Sequence, residues 1–397
     1  MTGKNMEKEE NIELAAEIML EFAAQTGLSK ENKTPRRYLW TDAFAVCNFL
    51  ELHHHTQQEE WLVLARQLVD QVHHILGQHR PDAARSGWLS GLSDEEGGRH
   101  PTRGGLRIGK KMDERAPDEP MDERLEWERD GQYYHYLTKW MRALCRISRA
   151  TGEAGYLRWG MELAQTAHRA FRFSAAPEGA LELCWKMSSD LRRSLVPSVG
   201  QHDPLDGLVT CCELLCAARH FPDQELPDLQ REIRELTEMC RNRDFSTSDT
   251  LGIGSILIDA CRTGELIIND AFQNLALFQR MVHDALLSLE DCGGGFLDQQ
   301  ARYRLAFREL GLSIGLKGSA RLARLFEEYP DVRGGELAAW LQPRLEAMLW
   351  FHKMAGRIER FWIEERRKGS EHWKSHGDIN MVMLATSLAP GQFLKGS

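Results

Sequence analysis

Five stretches of this 397-residue chain have helical spacing yet are apolar or small on nearly every face: 43–50, 208–218, 251–260, 310–316 and 379–388. A sixth, 133–147, is a more polar version with Lys139 and Arg142 inside it. A helix with no polar face must be covered all round, so these runs have to lie inside. Between them run amphipathic stripes at 12–22, 61–76, 156–171, 229–240, 272–289 and 337–361. In one of these, Leu229, Ile233, Leu236 and Cys240 share a face while Arg231, Glu232, Arg234 and Glu235 take the other. Such helices pack one side inward and show the other to water. The two kinds alternate outer, inner, six times over, and no segment reads convincingly as a sheet strand. Short connections such as Thr151-Gly152-Glu153 and Thr263-Gly264-Glu265 suit antiparallel neighbours. The expectation is an all-α barrel of helical hairpins in a single domain over 8–390. A solenoid would repeat at a fixed period, and these pairs are unevenly spaced.

Each inner run is opened or punctuated by a polar cluster. These are Trp40-Thr41-Asp42, Asp130-Gly131 with Tyr133-Tyr134-His135, and His202-Asp203-Pro204-Leu205-Asp206-Gly207. Ser248-Asp249-Thr250, Arg308-Glu309-Leu310-Gly311 and His376-Gly377-Asp378 follow. Six inner helices delivering polar residues to one end would build a pocket there. In this phasing, over residues 8 to 390, the chain resembles the six-hairpin glycosidase-like superfamily. The resemblance implies an (α/α)6 barrel of six inner and six outer helices. That superfamily contains glycoside hydrolases, unsaturated glucuronyl hydrolases and N-acylglucosamine 2-epimerases, so the fold alone selects no reaction.

Composition narrows the partners. With 50 basic and 59 acidic residues the net charge is -9, which disfavours nucleic acid or an anionic membrane as partner. Residues 1–10 are polar and lack the apolar core of a secretory signal, and no run approaches the roughly 20 apolar residues of a membrane span. Nine scattered cysteines with no CxxC pair read as reduced, buried thiols, hence a cytoplasmic protein. No cofactor or metal is called for. His53-His54-His55 is not spaced as a metal site, and Gly293-Gly294-Gly295 lacks a phosphate-binding context.

Two connections are long. The one at about 80–129 is rich in Gly and charge and reads as an ordered lid; residues 172–200, with Trp185-Lys186, form the second. Asp203, Asp206, Asp130 and Asp378 are the candidate catalytic carboxylates, and His135, His202 and His376 the candidate imidazoles. Two carboxylates in one pocket split their pKa values, so one serves as acid while the other stays ionised. Asp42, Trp40, Trp88, Trp127, Tyr133, Tyr134 and Arg107 are candidate substrate contacts, since ring faces suit sugar faces and a lid cation suits a carboxylate or phosphate. Plain structural readings stand beside these: caps for Asp203 and Asp42, an aromatic core stripe for the tyrosines, a solvated charge run for the lid cations. Glu309 reads as half of a structural ion pair with Arg304 or Arg308.

The leading expectation is a glycoside-hydrolase-like enzyme acting on a small-molecule or oligosaccharide substrate by paired carboxylates. The alternatives are a sugar 2-epimerase or isomerase using a histidine pair, and a non-catalytic binding or scaffold protein. The last would engage all its pocket carboxylates in caps or ion pairs.

Overall fold

The computed structural model describes residues 3–29, 34–174 and 179–396. The first two residues of the polar amino terminus, and 175–178 of the second long connection, lie outside them. The chain is all-α. In order come α1 (Gly3–Gln25), α2 (Leu39–Thr56), α3 (Glu59–Leu76), α4 (Tyr134–Thr151), α5 (Ala154–Phe171), α6 (Asp203–Ala218) and α7 (Gln230–Cys240). Then follow α8 (Thr250–Ile268), α9 (Leu275–Cys292), α10 (Ala306–Glu328), α11 (Glu336–Trp350), α12 (Lys353–Lys368) and α13 (Gly377–Leu388). As the periodicity predicts, α2, α4, α6, α8, α10 and α13 are enclosed over most of their length; residues 39–52 of α2 are buried without a break. The helices between them bury one face only.

One feature departs from the sequence reading. Among the described residues four strands of two or three residues occur: β1 (Gln132–Tyr133), β2 (Arg172–Ser174), β3 (Leu181–Leu183) and β4 (Lys186–Met187). They pair antiparallel as β1–β4 and β2–β3, runs too short to show the alternation that betrays a strand. The contacts divide the chain into two compact units. The larger is built from Ala23–His53 and Gln58–Arg241; the smaller takes the chain up to Phe22, His54–Gln57, and everything from Asn242.

In the smaller unit α10 is the hub, packing against α8, α11, α12 and α13. Its approach to α8 is set by glycine. A Cβ on Gly315 would stand 2.6 Å from the Cα and the carbonyl oxygen of Gly254, and one on Gly254 would collide with the Gly311 backbone. Charges on these enclosed helices are neutralised locally. Arg304 grips Glu309 through Nε (2.8 Å) and a terminal nitrogen (2.6 Å), with its guanidinium 3.7 Å from the Phe361 ring centroid. The Trp362 indole donates to the same carboxylate at 2.8 Å. Arg304 is therefore the partner of Glu309, while Arg308 pairs with Asp249.

In the larger unit α4 packs on α5 and α6, and α6 on α7. Arg146 of α4 reaches Glu213 of α6 at 3.4 Å with both side chains enclosed. His73 of α3, also enclosed, accepts the Trp140 indole proton at 3.2 Å, which fixes it as a neutral ring. Burial, with His74 beside it, pushes its pKa down to about 3. None of the nine cysteines forms a disulfide, and eight are buried. Among the described residues no helix is long and apolar enough to cross a membrane.

Glycine-to-alanine changes separate helix propensity from packing. An exposed helix glycine gains up to about 1 kcal/mol on conversion to alanine. At Gly254 or Gly315 the added methyl meets backbone that cannot turn aside, and overpacking costs about 1–3 kcal/mol. Gly254→Ala and Gly315→Ala are each expected to lower stability in thermal or urea unfolding. Gly155→Ala, where nothing lies within 4 Å, is expected to hold or raise it.

Candidate functional site

Two neighbouring enclosed helices of the larger unit begin side by side. α4 starts after Gly131, whose φ of +135° places it where a side chain is strained, and a Cβ there would press on the Met187 carbonyl. Tyr133 then caps the helix in extended conformation and His135 falls in its first turn. α6 starts at Asp203 with Pro204 in its first turn and His202 at the cap; proline suits that place because the first helical N–H groups have no intrahelical partner. These starts bring His135 Nδ1 to 3.9 Å from an Asp203 oxygen. That is ion-pair range but not a hydrogen bond, and Nδ1 has no hydrogen-bond partner among the described residues.

Aromatic rings surround this imidazole. Trp185 stacks on it at 5.9 Å and 15°, Tyr133 lies at 5.3 Å, Tyr136 at 4.9 Å and Trp40 at 6.2 Å. Trp127, half exposed, meets Trp185 edge-on at 4.9 Å. Tyr38 and Tyr136 share a hydrogen bond between their hydroxyls at 2.6 Å. The Trp40 indole N–H is buried against this group with no acceptor among the described residues. Burial, with the Lys139 ammonium nearby, holds the His135 pKa well below its usual value, so the ring is neutral at neutral pH.

The candidate carboxylates fall into different circumstances. Asp206, one turn past Asp203, accepts from Lys139 at 2.8 Å and from the Thr138 hydroxyl. Asp42 accepts the Tyr38 backbone N–H at 2.9 Å and stands 3.6 Å from Arg37, a helix-start role of the kind its place in the sequence suggests. Asp130 is wholly enclosed, bound by Arg107 at 2.6 Å and by the Gly109 and Lys110 amides at 2.9 and 3.3 Å. Arg107 spends its remaining nitrogens on the Gln78 and Ile75 carbonyls, at 2.8 and 2.6 Å. That pair staples the long connection down.

The connection is ordered throughout. The Trp88 indole is buried over Gly97, Thr102 donates to the Trp159 carbonyl at 2.7 Å, and His100 meets Glu162 at 2.7 Å. Trp88 thus belongs to the core of the lid. Tyr134, fully covered against Phe171 and Gly207, belongs to the core of the unit. The smaller unit carries the remaining candidates. His376 caps α13 in an exposed position against Phe307, Asp378 lies in the first turn, and Asn380 donates to the Trp373 carbonyl at 2.8 Å.

Sequence reasoning passed over Trp185, Tyr38, Tyr136 and Lys139. Trp185 sits in the second long connection, and only the β1–β4 pairing carries it to the start of α4. A tryptophan followed by a lysine that turns out to be enclosed was the available signal. Lys186 has no exposure at all; its ammonium donates to Glu126 at 3.0 Å and lies 5.4 Å from the Tyr133 ring.

No protein-family model matches the chain, and no curated protein does. Among solved structures it is similar to a sugar epimerase from a ruminal bacterium, at 10% identity over 96% of this chain and 98% of that one, TM-score 0.49. It is also similar to the cellobiose 2-epimerase of Spirochaeta thermophila DSM 6192, at 13% identity over 95% and 97%, TM-score 0.49. A family 76 glycoside hydrolase from a bovine Bacteroides thetaiotaomicron strain matches at 10% identity over 96% and 77%, TM-score 0.48.

The Asp130–Arg107 staple has a measurable consequence. Removing one member of an enclosed pair leaves the other charge buried and costs about 3–5 kcal/mol. Asp130→Asn is expected to loosen the lid, seen as new proteolytic cleavage within residues 80–129 and as lower stability. Asp113→Asn, at an exposed lid position, is expected to do neither.

Proposed function

We propose that the ring of aromatics around His135 is the sugar-binding site of a carbohydrate-active enzyme, with His135 as its proton-transfer group. One observation carries this reading: among the described residues two enclosed polar atoms, Trp40 Nε1 and His135 Nδ1, lack partners in a setting of aromatic faces. Enclosed polar atoms in folded proteins are almost always satisfied, so such a pair calls for a bound partner. A sugar supplies it, with hydroxyls for the two nitrogens and C–H faces for Trp185 and Tyr133.

Of the chemistries open to such a site, the geometry favours proton transfer beside a carbonyl, as in 2-epimerisation or isomerisation, over paired-carboxylate hydrolysis. Hydrolysis needs a carboxylic acid free to hand a proton to the leaving group, and Asp206 is already engaged by the Lys139 ammonium and the Thr138 hydroxyl. A neutral imidazole has its lone pair available to take a proton from carbon 2 of an open-chain aldose. Asp203, at 3.9 Å, would stabilise the imidazolium that results. His202, at the cap of α6, is the candidate for the second proton-handling group.

Hydrolysis is the second reading, supported by the one-turn spacing of Asp203 and Asp206 at the same helix mouth. A binding protein on this fold would engage its carboxylates, and Asp42, Asp130 and Asp206 are so engaged. The His135 surroundings are what set the enzyme reading apart.

Incubating the full chain in deuterated water with glucose, mannose, N-acetylglucosamine and cellobiose separates these outcomes by NMR. Deuterium at carbon 2, reduced about 10²–10⁴-fold by His135→Asn, is the expected result. Cleavage of cellobiose without label would replace this reading with hydrolysis, and neither label nor cleavage would overturn both.

A further inference from the structure

A cavity of about 550 Å³ opens elsewhere in the larger unit, between the lid and the loop after β4. Its size is that of a small-molecule site. Its lining is dominated by arginine: Arg80, Arg85, Arg107 and Arg115 from the lid side, Arg192 and Arg193 from the loop. Three carboxylates share it, Asp113, Glu114 and Asp190.

The fixed bonds divide these cations into two sets. Arg107 is consumed by Asp130 and two carbonyls, and Arg80 by Asp82 and the Lys110 and Lys111 carbonyls. Arg115 spends itself on Glu126 and the Glu119 and Leu195 carbonyls. These three build the wall. Arg85 keeps one contact, to Asp190 at 2.9 Å, and is more than half exposed. The Arg192 guanidinium, 76% exposed, comes only within 3.9 Å of Asp190. Arg193 holds the Arg115 carbonyl and approaches Glu114 at 3.7 Å.

A second observation points to a ligand. Ser189, nine-tenths buried and lining the cavity, has a hydroxyl with no partner among the described residues. Its backbone is pinned on both sides, the N–H to Glu114 and the carbonyl to Gln132, so the hydroxyl is held in place rather than drifting in solvent. His79 is in the lining too, with its pKa lowered by burial and by Arg85 and Arg107. It therefore adds no charge at neutral pH.

We propose that this cavity binds the phosphate group of a phosphorylated small molecule, through Arg85, Arg192, Arg193 and the Ser189 hydroxyl. A phosphomonoester offers three acceptor oxygens, enough to meet Arg85, Arg192 and Arg193 together, where a carboxylate offers two. Guanidinium forks match that geometry, and a fixed hydroxyl supplies a further donor. This site does not rest on the reading of His135: a protein without sugar chemistry could carry it, and the sugar enzyme could lack it.

Calorimetric titration of the full chain at constant ionic strength tests it, with glucose 6-phosphate, inorganic phosphate, glucuronate and glucose as probes. Glucose 6-phosphate and phosphate are expected to bind with Kd below about 1 mM, and glucose and glucuronate at least about tenfold more weakly. Arg192→Glu and Arg85→Glu, both at exposed positions, are expected to weaken phosphate binding about tenfold or more, and Ser189→Ala by about three- to tenfold. Circular dichroism confirms that each variant is folded. Equal affinity for glucuronate, no heat up to about 10 mM phosphate, or binding indifferent to all three substitutions would each overturn the proposal. Retained sugar turnover in Arg192→Glu with lost phosphate binding would support it, and would separate this cavity from the His135 site.

Discussion

Helices without a solvent-facing side cannot leave a charge to water, and this constraint organises the molecule. Moving an unpaired ion into such a place costs several kcal/mol, so each enclosed charge must meet a counter-charge or a set of carbonyls. Arg146 meets Glu213, Arg304 meets Glu309, and Arg107 meets Asp130, all with side chains barely exposed. Lys186, on the second long connection, is enclosed as well and rests on Glu126 and two carbonyls. These pairs hold helix to helix and lid to unit. They also decide which carboxylates are left for chemistry, since a carboxylate committed to an arginine is poorly suited to donate a proton.

The site follows from that sorting. Asp42, Asp130 and Asp206 are drawn into structural contacts by the groups beside them. The imidazole of His135 is left among aromatic faces, with Asp203 beyond hydrogen-bond reach. Burial disfavours its charged form and keeps it neutral, and the Trp40 N–H has no acceptor among the described residues. Aromatic faces around two polar atoms that are unpartnered among the described residues suit a polyhydroxylated ligand better than an apolar or multiply charged one. The arginine cavity is the converse: few rings and many guanidinium forks.

What could be read from the chain depends on how far apart the interacting residues lie. Helix kind is local, so the alternation of enclosed and amphipathic runs was legible. Glu309 and Arg304 are five residues apart, and their pairing was legible for the same reason. Lys139 and Asp206 are 67 residues apart in sequence, and only the packing of α4 on α6 joins them. Trp185 reaches His135 through a two-residue strand pair that has no periodic signature. Composition alone also could not separate Trp88 and Tyr134 from Trp40 and Tyr133, which lie beside the His135 ring. All four are buried aromatic residues beside polar ones, and only the packing of distant elements decides which of them meet His135.

The central claim is that a sugar occupies the aromatic site and completes the bonding of His135 and Trp40. A crystal structure of the full chain grown with the aldose that takes up label, or with its reduced alditol, tests this most directly. The account predicts a pyranose or open chain stacked on Trp185, with hydroxyls within about 2.6–3.2 Å of His135 Nδ1 and Trp40 Nε1. A sugar bound elsewhere, with both nitrogens still unpartnered, would contradict it.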